Sequence, residues 1–101
     1  MPKKKIPAPA GRARPRWCLY IVTCADGTLY TGISTDLRRR IDQHNAGTAS
    51  RYTRSRLPVV LVHREGCRDK SSALKKELRI KSLSRAAKKA YISRKSRSRA
   101  R

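Results

Sequence analysis

A chain of 101 residues is long enough for one small domain, and its 27 Lys and Arg against 6 Asp and Glu give a formal charge of +21. Such a charge calls for a polyanionic partner, nucleic acid first. No apolar run approaches the ~18–20 residues that span a bilayer; Met1 to Arg16 lacks the apolar core of a secretory signal, and Cys18, Cys24 and Cys67 have no metal-ligand spacing. A cytoplasmic, nucleoid-associated protein with reduced core thiols and no membrane partner is therefore expected.

Residues 1–16 hold six basic residues and no acid, with too little apolar content to offset chain entropy, so a disordered basic arm is expected there. The composition changes at Trp17. Trp17 to Cys24 is almost all apolar and rich in residues that favour a strand. Ala25-Asp26-Gly27-Thr28 contains an Asp-Gly pair suited to a two-residue hairpin turn. Leu29 to Ile33 is then the partner strand, and Gly32 within it suggests a close approach by another group. Ser34, Thr35 and Asp36 offer caps for a helix from Leu37 that ends near Gly47. On that helix Arg40 and His44 share the side of Leu37 and Ile41, while Arg38 and Arg39 point away.

Thr48 to Leu57 reads as a solvent-facing loop or one short helical segment carrying Arg51, Tyr52, Arg54 and Arg56. Val59 to His63 is a third strand begun by Pro58, with Glu65 to Arg68 as a connection. Asp69 caps a further helix on which Glu77 and Lys81 lie inside the apolar arc. A carboxylate there is expensive unless it binds a cation or is paired, and an i, i+4 bridge to Lys81 explains it as well as a site does. Ser84 caps a last helix through Tyr91 and Ile92. Residues 17–93 are thus the folded domain, and 94–101, with five basic residues, a disordered basic tail.

Phosphodiester hydrolysis needs a base for water, positive charge on the phosphate and a proton or charge for the leaving oxygen. Tyr20, Tyr30, Arg40, His44 and Glu77 supply those types. Arg40 suits a phosphate, and Glu77 is a hard ligand of the kind Mg²⁺ takes. With only 6 acids, a one-metal site fits better than a two-metal carboxylate cluster.

These residues resemble the GIY-YIG nuclease superfamily, most closely its short stand-alone YhbQ-like bacterial members. Cys18-Leu19-Tyr20 stands for the Gly-Ile-Tyr triplet and Tyr30-Thr31-Gly32 for Tyr-Ile-Gly. Arg40, His44 and Glu77 follow in register, so the likeness covers about Trp17 to Tyr91. It implies an α/β (α+β) fold with a small central three-stranded antiparallel sheet flanked by helices. It also implies DNA cleavage with one divalent metal, Mg²⁺ or Mn²⁺, held by Glu77. Arg40 would stabilise the phosphate, His44 assist proton transfer, and one of Tyr20 and Tyr30 help activate water. The first triplet keeps only its tyrosine. Many relatives carry an Asn after the glutamate and none follows Glu77, which implies that another group, such as Lys81, positions the carboxylate or phosphate, or that activity is weak.

The resulting expectation is a DNA endonuclease of low sequence specificity, monomeric or weakly dimeric, acting in repair or on structured DNA. RNA as a substrate and an unidentified protein partner stay open. Arg39, Arg51, Tyr52, Arg54, Arg56 and Lys81 are the further nucleic-acid contacts. The alternative is a non-catalytic basic module that retains the fold. If the arm touches phosphates, removing residues 1–16 flattens the salt dependence of DNA binding, read as the slope of log K against log salt. An unchanged slope assigns the arm no phosphate contacts.

Overall fold

A computed structural model describes residues 16–99. The elements run β1 (Trp17–Thr23), β2 (Leu29–Ser34), α1 (Leu37–Asn45), α2 (Arg51–Arg54), β3 (Val60–Cys67), α3 (Lys70–Lys81) and α4 (Arg85–Arg99). The strands form one antiparallel sheet in the order β2-β1-β3, flanked by helices, as expected. All of the arm expected over residues 1–16 except Arg16 lies outside the described residues. No described helix is long and apolar enough to cross a membrane.

The apolar run of β1 is explained by its place at the centre of the sheet, where both faces are covered. Leu19 and Ile21 pack against Ile80 of α3 and against Leu83, Tyr91 and Ile92. Tyr20 and Val22 face the other way, toward Leu37 and Ile41 of α1 and toward Leu57 and Val59. The three cysteines are unpaired, with Cys18 and Cys24 buried.

The hairpin turn differs from the expected two-residue form. Cys24 N–H donates to the Thr28 carbonyl and Gly27 N–H to the Cys24 carbonyl, enclosing three residues, with Gly27 at φ +85°. Asp26 selects this loop by accepting from both the amide and the hydroxyl of Thr28. Asp36 caps α1 through Arg39 N–H, and Gly47 follows at φ +81°, the left-handed cap read from the sequence.

Two boundaries are corrected. Strand β3 continues to Cys67, where a connection had been expected from Glu65, because Glu65 to Cys67 pair with Leu19 to Trp17. Helix α4 runs to Arg99, through the start of the tail expected to be disordered, because Arg, Lys and Ser without Gly or Pro leave nothing to stop it.

A bulge at Val62 shifts the pairing: Ile21 faces His63, but Val22 faces Leu61. Leu61 therefore packs with Tyr20 and Val22, whereas His63 and Glu65 turn toward α3 and α4. There Glu65 accepts from His63 Nε2 at 2.8 Å, from Lys76 Nζ at 2.8 Å and from the Tyr91 hydroxyl. One acid thus fastens both helices to β3. Burial works to raise the Glu65 pKa, but the three hydrogen bonds and the Lys76 charge prevail and bring it from 4.5 to about 2. Burial and the Glu65 carboxylate push the Tyr91 hydroxyl above its usual range. Since the folded pKa lies below the unfolded one, the stabilisation is complete above pH ~4.5 and is lost as pH falls toward 2. Urea unfolding at pH 7 should show Glu65→Gln less stable by roughly 3 kcal/mol, and the gap to wild type should close across that acid window. A gap that does not vary with pH would remove the carboxylate from this role.

Candidate active site

The site is built around the Tyr20 hydroxyl. Tyr20 pairs with Gly32 across β1 and β2. A Cβ on Gly32 would lie 2.5 Å from the Tyr20 hydroxyl oxygen and 2.6 Å from Cζ, so no other residue fits there without displacing the ring. The ring crosses the neighbouring strand where the side chain is missing. This is the close approach that a glycine within a strand signals.

Arg40 Nε of α1 donates to the Tyr20 oxygen at 3.4 Å. The Tyr20 proton then goes to its other partner, His44 Nε2, 2.8 Å away. With Nε2 accepting, the neutral ring carries its proton on Nδ1 and donates to Thr53 Oγ1 at 2.8 Å. Thr53 lies on α2, whose cap Ser50 accepts the Thr53 amide. Tyr20, His44 and Thr53 are all fully buried. Burial raises the Tyr20 pKa, Arg40 opposes it, and Tyr30 and the Glu77 carboxylate add to it. Burial and then the Arg40 charge hold His44 below the usual imidazole range, which keeps it neutral at pH 7.

Tyr30 of β2 is half-buried. It meets the His44 ring edge-on at 5.3 Å and stacks with Tyr52 at 5.8 Å. Arg40 is half-buried too, and its second nitrogen donates to Gln43 Oε1 at 3.2 Å. Glu77 of α3 pairs with Lys81 at 3.3 Å; their side chains are 16% and 46% exposed. Lys81 Nζ also lies 5.7 Å from the Tyr30 ring centre. Tyr20, Tyr30, Arg40 and His44 are thus joined by direct contacts. Glu77 joins them through Lys81 and through its charge on Tyr20.

Both alternatives weighed for Glu77 have a physical basis. The ion pair with Lys81 is present, and the carboxylate also lies in the field of the Tyr20 hydroxyl. Among the described residues no group of three His, Cys, Asp or Glu could hold a metal. A single half-buried carboxylate still fits Mg²⁺ or Mn²⁺, since Mg²⁺ keeps several waters and takes one or two carboxylates.

Of the other nucleic-acid candidates, Arg39, Arg51 and Arg54 are exposed, and Tyr52 is 38% exposed against Tyr30. Arg56 is partly exposed and bonded to its neighbours. It donates to Asp26 Oδ2 at 3.0 Å and to the Tyr52 carbonyl at 2.7 Å, and it lies over the Tyr52 ring. Lys88 of α4 is held below the usual lysine range by burial and by the nearby Lys81 charge. Thr53 escapes a reading by sequence because its segment looks solvent-facing, and only the partner of His44 reveals it. Gln43 escapes it because nothing in helix spacing marks a glutamine as the second partner of Arg40.

Residues 16–91 match the family model described as GIY-YIG catalytic domain. The chain belongs to the GIY-YIG nuclease family. It is 58% identical over 80 residues to a UPF0213 protein of Desulfotalea psychrophila, covering 78% of this chain and 73% of that one. To a UPF0213 protein of Halobacterium salinarum it is 53% identical over 74 residues, 73% of this chain and 96% of that one. Among solved structures it is similar to the solution NMR structure of a UPF0213 protein from Bacillus halodurans. That likeness has a TM-score of 0.52 and 40% identity over 77% of this chain and 83% of that one. It is also similar to a protein from E. faecalis, with a TM-score of 0.57 and 35% identity over 79% and 85% of the two chains. The short YhbQ-like kind expected from the GIY-YIG signature is thus the kind found, in archaea as well as bacteria.

The buried chain from Tyr20 to Thr53 predicts an asymmetry. Thr53→Val leaves the His44 Nδ1–H without an acceptor and should cost about 1–3 kcal/mol in urea unfolding, while Thr53→Ser should recover most of it. Equal losses in the two variants would point to packing alone.

Proposed function

We propose that this member of the GIY-YIG family is a metal-dependent DNA endonuclease of low sequence specificity, acting in repair or in the processing of nicked or branched DNA. The observation that carries the reading is the cluster of Arg40, Tyr20, His44 and Tyr30, to which Glu77 is linked through Lys81. Arg40 donates to the Tyr20 hydroxyl, and Lys81, paired with Glu77 at 3.3 Å, lies 5.7 Å from the Tyr30 ring centre. A guanidinium and a half-buried carboxylate linked to one cluster suit a phosphodiester better than simple backbone docking, because an acid near the phosphate repels it unless a cation intervenes.

Arg40 binds the scissile phosphate and offsets the charge that grows on it as water attacks phosphorus and the P–O bond breaks. A divalent ion on Glu77 supplies, when bound, further Lewis-acid charge at the phosphate. Tyr30 is the tyrosine that reaches the surface, so it is the one that meets substrate or water. Tyr20 and His44 act from behind. The Tyr20 hydroxyl is held between Arg40 and a neutral imidazole that can take its proton at Nε2, while Thr53 fixes the imidazole's tautomer. Exposed Arg39, Arg51, Arg54 and Lys81 guide the backbone without reading bases.

Labelled plasmid, nicked and branched DNA should be cut in the presence of Mg²⁺ or Mn²⁺. Glu77→Ala should lower the rate by at least a hundredfold, within the range ascribed to a lost electrostatic contact. Cutting that persists in the variant would move the chemistry away from Glu77. Tight binding without cutting in either protein would favour a non-catalytic nucleic-acid-binding module.

A further inference from the structure

A cleft of about 350 Å³ opens beside the site. Trp17 at the start of β1, Ser34 at the end of β2, Thr35 after it, and Arg39, Arg40 and Gln43 of α1 line it. Arg40 is the residue it shares with the Tyr20–His44 chain, so a phosphate on Arg40 stands at the mouth of both. The cleft combines an aromatic ring, two guanidinium groups and two hydroxyls, which is the chemistry that holds a base and its phosphate. Its size is at the small end of ligand pockets and matches one nucleotide rather than a duplex.

Asp36 also lines the cleft, but its Oδ1 is engaged as the cap of α1, accepting Arg39 N–H at 3.2 Å. The two arginines leave the cleft net positive. Lys70 Nζ, which does not line the cleft, lies 5.4 Å from the Trp17 ring centre. Trp17 is half-buried, so its ring is fixed yet still presents surface to the cleft.

We propose that this cleft is a nucleotide subsite: a nucleobase stacks on Trp17 while its phosphate is held by Arg39 and Arg40. The proposal rests on the nuclease reading for its place in the reaction, but binding in the cleft needs neither metal nor cleavage. Arg39 thereby gains a role distinct from that of Arg38, its neighbour in the sequence, which is also exposed but does not line the cleft.

Trp17 is the only tryptophan in the chain, so its fluorescence reports on the cleft directly. The full chain, without metal, is titrated with thymidine 5′-monophosphate, thymidine and inorganic phosphate. The nucleotide should quench saturably. Thymidine should bind about tenfold more weakly or worse, and phosphate should compete without quenching. Arg39→Glu should weaken the nucleotide about tenfold or more, while Arg38→Glu, an equal change of charge outside the cleft, should shift it by less than about threefold. Equal quenching by nucleotide and nucleoside, or equal effects of the two arginine variants, would overturn the subsite. Absent quenching alongside intact Glu77-dependent cleavage would overturn it and leave the nuclease reading standing. Saturable quenching in a protein that cuts nothing would keep the subsite and sink the catalytic reading.

Discussion

A tyrosine at the centre of a strand covered on both faces must find partners for its hydroxyl, or the strand cannot be buried there. That constraint organises the molecule. Tyr20 meets it by lying across Gly32 and pointing at His44, with Arg40 donating from the side. His44 in turn requires an acceptor for its second nitrogen, and Thr53 provides it. The short helix α2 is held where it is because Thr53 must face inward. A polar chain that satisfies itself completely therefore links β1, α1 and α2, and it does so beneath the surface on which Tyr30 and Arg40 emerge.

The opposite face of the sheet repeats the logic with an acid. Glu65 fastens β3 to α3 through Lys76 and to α4 through Tyr91. Helix α3 is therefore anchored one residue away from Glu77, and the position of Glu77 depends on the contact of its neighbour Lys76. Ala73 and Ile80, both buried, fix the rotation of α3. Packing and the Glu65 clasp together set where the second half-buried carboxylate stands, although neither contact lies in the site itself.

Much of this is legible in the sequence, for identifiable reasons. Strands β1 and β2 are readable because a central strand is a continuous apolar run and the Asp-Gly pair marks the reversal. The inward side of α1 is readable because Leu37 and Ile41 define it, and Arg40 and His44 fall on it. The tyrosines are readable as a pair only through their triplets. Strand β3 resists the reading because the bulge at Val62 changes which side chains face inward. Simple alternation cannot place Leu61 and His63 on opposite faces, and so the Glu65 clasp stays hidden. Thr53 is hidden by its setting among Arg51, Tyr52 and Arg54, which make the segment look wholly solvated. Arg56 reads in the sequence only as a phosphate contact, and the bonds of its Nε to Asp26 and its Nη1 to the Tyr52 carbonyl depend on partners far away or in the backbone that no spacing marks.

The two half-buried glutamates show how local pairing separates structure from chemistry in so basic a chain. Each faces a lysine of α3, and each is nearly hidden, at 12% and 16% side-chain exposure for Glu65 and Glu77. Glu65 has three donors, and its pKa falls to about 2 because they outweigh burial; a cation arriving there would have to displace a lysine, a histidine and a tyrosine together. The Glu77 ion pair is with Lys81, whose side chain is nearly half exposed and flexible, and an exposed lysine contact is worth little. A divalent ion or a phosphate-bound cation therefore meets far less resistance at Glu77. Lys81 offsets the Glu77 charge and, on the proposed reading, would lessen its repulsion of a phosphate backbone. Lys81 Nζ also lies 5.7 Å from the Tyr30 ring centre, and its charge acts on Lys88. On the proposed nuclease reading, the same ion pair that explains a half-buried acid structurally would also let that acid stand in a phosphate-binding site.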